Sequence, residues 1–196
     1  QYMLPVALAE FKELHQDVDL AISLMNRKVE LVEEGFDLAI RVGHLNDSTM
    51  VARNIGNMRF KTVASPHYIN TRGMPSTPKD LKNHQCLINT AVTNAKRWSY
   101  LINGKSTVIK VAGSLEVNDS QSLKAFAIAN QGIAQLPSFY VDAAIQSGEL
   151  IEILSDYVPS PLPVNLLYPS QRLLSPTVRA LVDYLVPFLN QQKQKW

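Results

Sequence analysis

Several things are scarce in this chain, and each scarcity excludes something. A single cysteine, Cys86, stands among 196 residues. No disulfide can therefore close within the chain, and a reducing cytoplasm is the expected setting. The lone thiol reads as a buried, inert core group rather than a redox sensor. No apolar run approaches the ~20 residues that a membrane helix requires, so no membrane partner is expected. The net charge is only +2, and no basic stripe of the kind that grips nucleic acid is present. Lys193 and Lys195 read as a solvated tail. The four histidines (His15, His44, His67 and His84) are scattered, without an i, i+4 pair or a cysteine partner, so neither a metal nor a cofactor is expected. There is no nucleophile elbow and no glycine-rich phosphate loop. Glu33 and Glu34 are adjacent, so on a helix they diverge rather than form an acid/base pair. The expectation is a protein that is not an enzyme.

What remains is an ordinary globular balance, 46% hydrophobic and 18% charged, which argues against disorder. The length suits one large domain or two small lobes. The organising stretch is Val29 to Gly43, VELVEEGFDLAIRVG. It reads as a short helix, a turn at Gly35 and a strand entering on Asp37, with Leu38, Ile40 and Val42 on one face and Ala39 and Arg41 on the other. Upstream, Asp17 to Met25 alternates Val18, Leu20, Ile22 and Leu24 as a second strand. Strand, helix and strand with so short a crossover predict a parallel βαβ unit. Ligands in such sheets lie beyond the carboxyl ends of the strands, here Met25–Asn26 and Arg41–Val42–Gly43.

In chain order, Gln1 to His15 reads as a helix on its Leu4, Leu8, Phe11 and Leu14 spacing. Met50 to Ala64 is extended, with a turn expected at Gly56–Asn57. Ser65–Pro66 and Thr77–Pro78 pair an N-cap with a proline at the first helical position. Gln85–Thr90 is a strand. Arg97–Ile102 and Lys105–Val111 flank Asn103–Gly104, a two-residue hairpin signal. Leu115–Val117 is extended, and Asn118 or Asp119 caps a helix running to about Asn130. Ile133–Pro137 is a strand, Ser138 caps a helix ended near Gly148, and Leu150–Leu154 is a strand. Three prolines (Pro159, Pro161 and Pro163) mark a connector. Val164–Tyr168 is a strand, and Ser175–Pro176 starts a last helix that Pro187 should kink or end early. The order predicts an α/β protein of two lobes, residues 1–63 with 164–196 and residues 64–163. The chain would cross twice, near Ala64 and near Val164, with a cleft between the lobes.

Motifs spread along the chain carry a family resemblance: LVEEGFDLAIRVG at 31–43, DSTMVARNIG at 47–56, ASPHYINTRGMPSTPKDLKNHQCL at 64–87, Trp98 and NGK at 103–105. VAGSLEVND at 111–119, GIAQLPSFYV at 132–141, SGEL at 147–150, the segment from Leu154 to Pro159, and YPSQRLLSPTVRALVDYL at 168–185 complete it. By their order and spacing the chain resembles the effector-binding domain of LysR-type transcriptional regulators. The resemblance implies a two-lobed, periplasmic-binding-protein-like fold with two crossover hinge strands and a small-molecule effector in the cleft. It also implies a homodimer, or a tetramer in the full-length protein. DNA would be bound by a helix-turn-helix domain ahead of residue 1, absent from this chain. A first strand leading into the helix at Gln1 is expected by the same resemblance.

The candidate effector contacts follow. Arg41 ends its strand off the apolar face, where a guanidinium suits a carboxylate or else pairs with a surface acid. Val42 and Gly43 complete that end, and Gly43 either admits a ligand against the backbone or simply serves the turn. Asn26 ends the other predicted strand. Ser65, and Asn118, Asp119 and Ser120, begin helices whose free N–H groups attract anions, and their capping role is compatible with that. By resemblance Ser65 and Asn118–Asp119 face the cleft, and Gln1 and Tyr2 lie near a ligand contact. The competing function on the same fold is a periplasmic-type solute-binding protein, expected to be monomeric and secreted.

Overall fold

The computed structural model describes residues 3–25, 31, 33–45, 50–169 and 174–191. The chain divides into two compact units, residues 1–58 with 162–196 and residues 59–161. The expected boundaries at 63/64 and 163/164 fall slightly late. The extended stretch breaks at Arg59 rather than at Gly56–Asn57, and the strand after the break pairs wholly within the second unit.

Unit 1 contains helix α1 (Met3–Leu14), strands β1 (Ala39–Val42) and β2 (Val51–Met58), and, from the far end of the chain, strand β10 (Leu162–Tyr168) and helix α5 (Pro176–Gln191). The strands form a sheet in the order β1-β10-β2, antiparallel throughout. Its core joins Ala7 and Leu8 of α1 and Val178, Val182, Leu185 and Leu189 of α5 to Ile55, Val164 and Leu166 of the sheet. Phe11 is fully buried, stacked on His15 at 4.4 Å and tilted against Tyr184 at 5.6 Å. Leu14, expected on the buried stripe of α1, is exposed.

Two expectations fail here for physical reasons. The predicted parallel βαβ unit does not form among the described residues. Residues 18–25 join no ladder, and Ile22 and Leu24 are 59% and 82% exposed. Alternation defines a face, but a strand exists only where a neighbour satisfies its backbone groups. Among the described residues the only ladder of β1 is antiparallel, to β10. A cavity of about 600 Å³ separates the 19–25 run from residues 36–41, lined by Leu8, Leu20, Ile40 and Leu181 among others. Gly56, expected to turn, instead sits at a β-bulge. Val164 faces Gly56 and Asn165 faces Asn54, so Ile55 is the extra residue, and it is fully buried. Of the two outcomes expected at Pro187, a kink or an early end, the early end does not occur, since α5 continues to Gln191. A single missing N–H costs the helix one bond, while Leu185 and Leu189 on either side are fully buried.

Unit 2 is built on a five-stranded sheet in the order β7-β4-β8-β3-β9. These are β3 (Phe60–Ala64), β4 (Cys86–Asn89), β7 (Glu116–Val117), β8 (Ile133–Pro137) and β9 (Ile151–Ile153). β4 runs parallel to β7 and β8, while β3 is antiparallel to β8 and β9. One face packs on helices α3 (Ser120–Ile128) and α4 (Ser138–Gln146), through Leu123, Ala127, Val141 and Ala144 against Val63, Leu87 and Leu136. The other face is covered by helix α2 (Pro66–Arg72) and the hairpin of β5 (Arg97–Ile102) and β6 (Lys105–Lys110), which buries Trp98 and Tyr100. The hairpin turn holds Asn103 and Gly104 at φ +52° and +72°, as its two-residue connection demands. Beneath the hairpin the Tyr100 hydroxyl hydrogen-bonds to Thr62 Oγ1 at 2.9 Å, which satisfies both buried groups.

Candidate functional site

The parallel strands of unit 2 give its sheet one polar end. β7 leads through Asn118 and Asp119 into α3, and β8 leads directly into α4. The carboxyl ends of β7, β4 and β8 and the N-termini of two nine-residue helices therefore share one edge. Ligands of α/β sheets bind at such edges, where free N–H groups favour anions. Asp119 is the N-cap of α3: the backbone N–H and the hydroxyl of Ser122 both donate to its Oδ2 at 2.7 Å. The Ser122 hydroxyl, followed by the backbone N–H, holds the Asp119 carboxyl below the usual carboxylate range. Asn89, at the end of β4, donates from Nδ2 to Ser120 Oγ at 3.2 Å, tying strand end to helix start. Pro137 occupies the N-cap position of α4, and Ser138 lies within the helix, largely buried, rather than capping it as expected. Asn89 carries no motif, and only the strand order places it here.

Ser65 is not part of this edge. β3 runs antiparallel to β8, so the residue after β3 lies at the opposite end of the sheet from Asn118–Ser120. Its hydroxyl is also fully engaged, accepting from Tyr68 N–H at 3.1 Å and donating to Asn130 Oδ1 at 2.6 Å. Ser65 is 3% exposed. It caps α2 and pins Asn130, which holds a φ of +66°.

In unit 1, Arg41 and Gly43 are half-buried and Val42 is 38% exposed. Gly43 has φ +111°, a conformation that side chains rarely adopt. Its N–H donates to Pro163 O at 2.8 Å, and its carbonyl accepts from Asn165 Nδ2 at 3.4 Å. Gln1, Tyr2 and Asn26 lie outside the described residues. Among the described residues no group of three His, Cys, Asp or Glu side chains could hold a metal ion, and no helix is long and apolar enough to cross a membrane.

Cys86 is fully buried in β4, and burial pushes its thiol up to about 12. Because the thiolate is the reactive form, a thiol reagent such as DTNB should label the native protein no faster than unit 2 opens. Labelling in urea should follow the unfolding curve. Native-state labelling at the rate of an exposed thiol would show that β4 is accessible.

Comparison with known proteins gives a consistent result. Residues 1–189 match the model of the LysR substrate binding domain. An HTH-type transcriptional regulator of Haemophilus influenzae is 36% identical over 169 residues, covering 86% of this chain and 57% of that protein. The HTH-type transcriptional regulator YhjC of Escherichia coli K12 is 33% identical over 186 residues, covering 94% of this chain and 62% of that protein. The chain thus spans about three fifths of the length of these relatives. Among solved structures, the regulatory domain of AphB in Vibrio vulnificus superposes with a TM-score of 0.80 at 26% identity. That match covers 95% of this chain and 92% of that domain. The shared fold is the periplasmic-binding-protein-like α/β class, and the family is regulatory, not enzymatic. The chain belongs to the LysR substrate binding domain family.

Proposed function

We propose that this chain is the sensing module of a DNA-binding regulator and that its effector is a small carboxylic acid. The match of residues 1–189 to the LysR substrate binding domain carries the first part. The names of the relatives favour a regulator over a solute-binding protein. Two features support the anionic effector. Arg41 stands at the carboxyl end of β1 beside Val42 and Gly43, where a guanidinium pairs with carboxylates in two-pronged geometry. The positive dipole ends of α3 and α4 share that preference, with the Ser122 N–H already held by Asp119 and the Ser138 N–H by Arg59 O. DNA would be read by a helix-turn-helix segment outside this chain, in the cytoplasm, by a homodimer or a tetramer, since paired half-sites call for paired readers. The effector acts by binding one arrangement of the assembly better than another, and only that difference in affinity can move the equilibrium.

The test is a thermal-shift screen of small carboxylates, amino acids and aromatic acids, each beside its neutral amide, followed by calorimetry. Acids should stabilise the protein and amides should not. Arg41→Ala should weaken the best acid by roughly tenfold or more, the share of one charge-assisted bond. Unchanged affinity in that variant would remove Arg41 from the reading, and stabilisation by the amides alone would remove the carboxylate.

A further inference from the structure

A polar row crosses all three strands of unit 1. The registers set Arg41 of β1 opposite Asn165 of β10, and Asn165 opposite Asn54 of β2. Opposed residues of antiparallel strands project from the same face. The three side chains therefore stand abreast across two strand spacings, about 10 Å. Their neighbours Ile40, Ile55, Val164 and Leu166 pack into the helix-covered core, so the row lies on the other face.

Both amides are oriented by what they touch. Asn165 Nδ2 donates to Gly43 O at 3.4 Å. Asn54 Nδ2 donates to Gly56 O at 3.0 Å and to Val164 O at 3.3 Å, carbonyls that the β-bulge brings together. A carbonyl oxygen accepts only from N–H, so in each amide the nitrogen is turned to the backbone and the oxygen away from it, Asn165 keeping one N–H beyond the one given to Gly43 O. Asn165 is 8% exposed, which fixes its orientation. The row thus presents a guanidinium with only donors, followed by two amide oxygens with only acceptor capacity. A plain carboxylate satisfies the first element alone.

We infer that the Arg41–Asn165–Asn54 row selects carboxylic acids bearing a hydrogen-bond donor next to the carboxylate, that is, α-hydroxy or α-amino acids. The carboxylate pairs with Arg41; a hydroxyl donates its one hydrogen to Oδ1 of Asn165 or of Asn54, and an ammonium donates to both. This deepens the carboxylate reading of Arg41 and rests on it.

Three acids on one carbon skeleton separate the contributions: butanoate, 2-hydroxybutanoate and 2-aminobutanoate, titrated into the ¹⁵N-labelled chain. The two substituted acids should bind roughly fivefold or more tightly than butanoate, the share of one added hydrogen bond. The side-chain amide signals of Asn54 and Asn165 should shift with them and stay still with butanoate. Asn54→Ala, at an exposed position, should reduce the preference for the two substituted acids over butanoate. Equal affinities for the three acids, amide signals that ignore the donor, or no binding by any of the three would each overturn the inference. Butanoate binding that depends on Arg41 but shows no preference would overturn it while leaving the carboxylate reading intact.

Discussion

Gly113→Ala should be the most damaging single-methyl change in this protein, lowering the stability of unit 2 by about 3 kcal/mol or more. A Cβ built at Gly113 meets the backbone oxygen of Cys86 at 1.8 Å and its carbonyl carbon at 2.8 Å. The obstruction is main chain in the middle of a sheet, so no rotamer change relieves it. The residues around Gly113 run beside β4: Cys86 N–H donates to Ala112 O at 3.0 Å and Ile88 N–H to Leu115 O at 3.0 Å. Making room for a methyl means prying that segment off the strand. Urea unfolding followed through Trp98, buried in unit 2, measures the loss. Gly104→Ala is the control. No atom lies within 4 Å of the added carbon there and only the left-handed φ is penalised, at about 1 kcal/mol. Equal losses in the two variants would show that the strand and its neighbour separate more readily than their hydrogen bonds indicate.

Leu136→Ala is the second large effect expected. Leu136 is fully buried near the middle of β8, where Val63, Leu123 and Val141 belong to the same cluster. Removing a leucine from such a site costs about 2–5 kcal/mol, the upper end applying where the surroundings cannot collapse. Sheet residues beside it are held by ladders to β3 and β4, so the cost should lie in the upper half of that range. Restoring volume with Leu136→Met should recover most of it. A loss of about 1 kcal/mol in the alanine variant would mean that α3 and α4 settle inward.

What the sequence made legible here was local, and what it hid was distant. Ser65–Pro66, Asn103–Gly104 and Asn118–Asp119 announce a helix start, a hairpin and a cap through chemistry confined to a few neighbours, and each forms where expected, the cap falling on Asp119 of its two candidates. Alternation in residues 17–25 and 37–42 gave faces but not partners. The partner of β1 turned out to be β10, with Arg41 opposite Asn165, and no pattern within either segment carries that information. The reading at Gly56 failed for the same reason, since a glycine that turns and a glycine at a β-bulge look alike until the opposing strand is known. The candidate site divides along this line. Asp119 could be named in advance because it caps its own helix. Asn165 could not, because its contact, the Gly43 carbonyl, lies 122 positions away. Ser65 carried a correct local signal and a wrong destination, because the direction of β3 relative to β8 decides which end of the sheet it occupies.

The division of the chain also orders events during synthesis. Residues 59–161 are contiguous, whereas the first unit draws on both ends. A ribosome making this protein releases everything the inserted unit needs while β10 and α5 are still unmade. Before then, β1 and β2 lack the strand that lies between them, and Ala7 and Leu8 lack the helix that buries them. The insert should therefore mature first, leaving residues 1–58 exposed until β10 and α5 arrive.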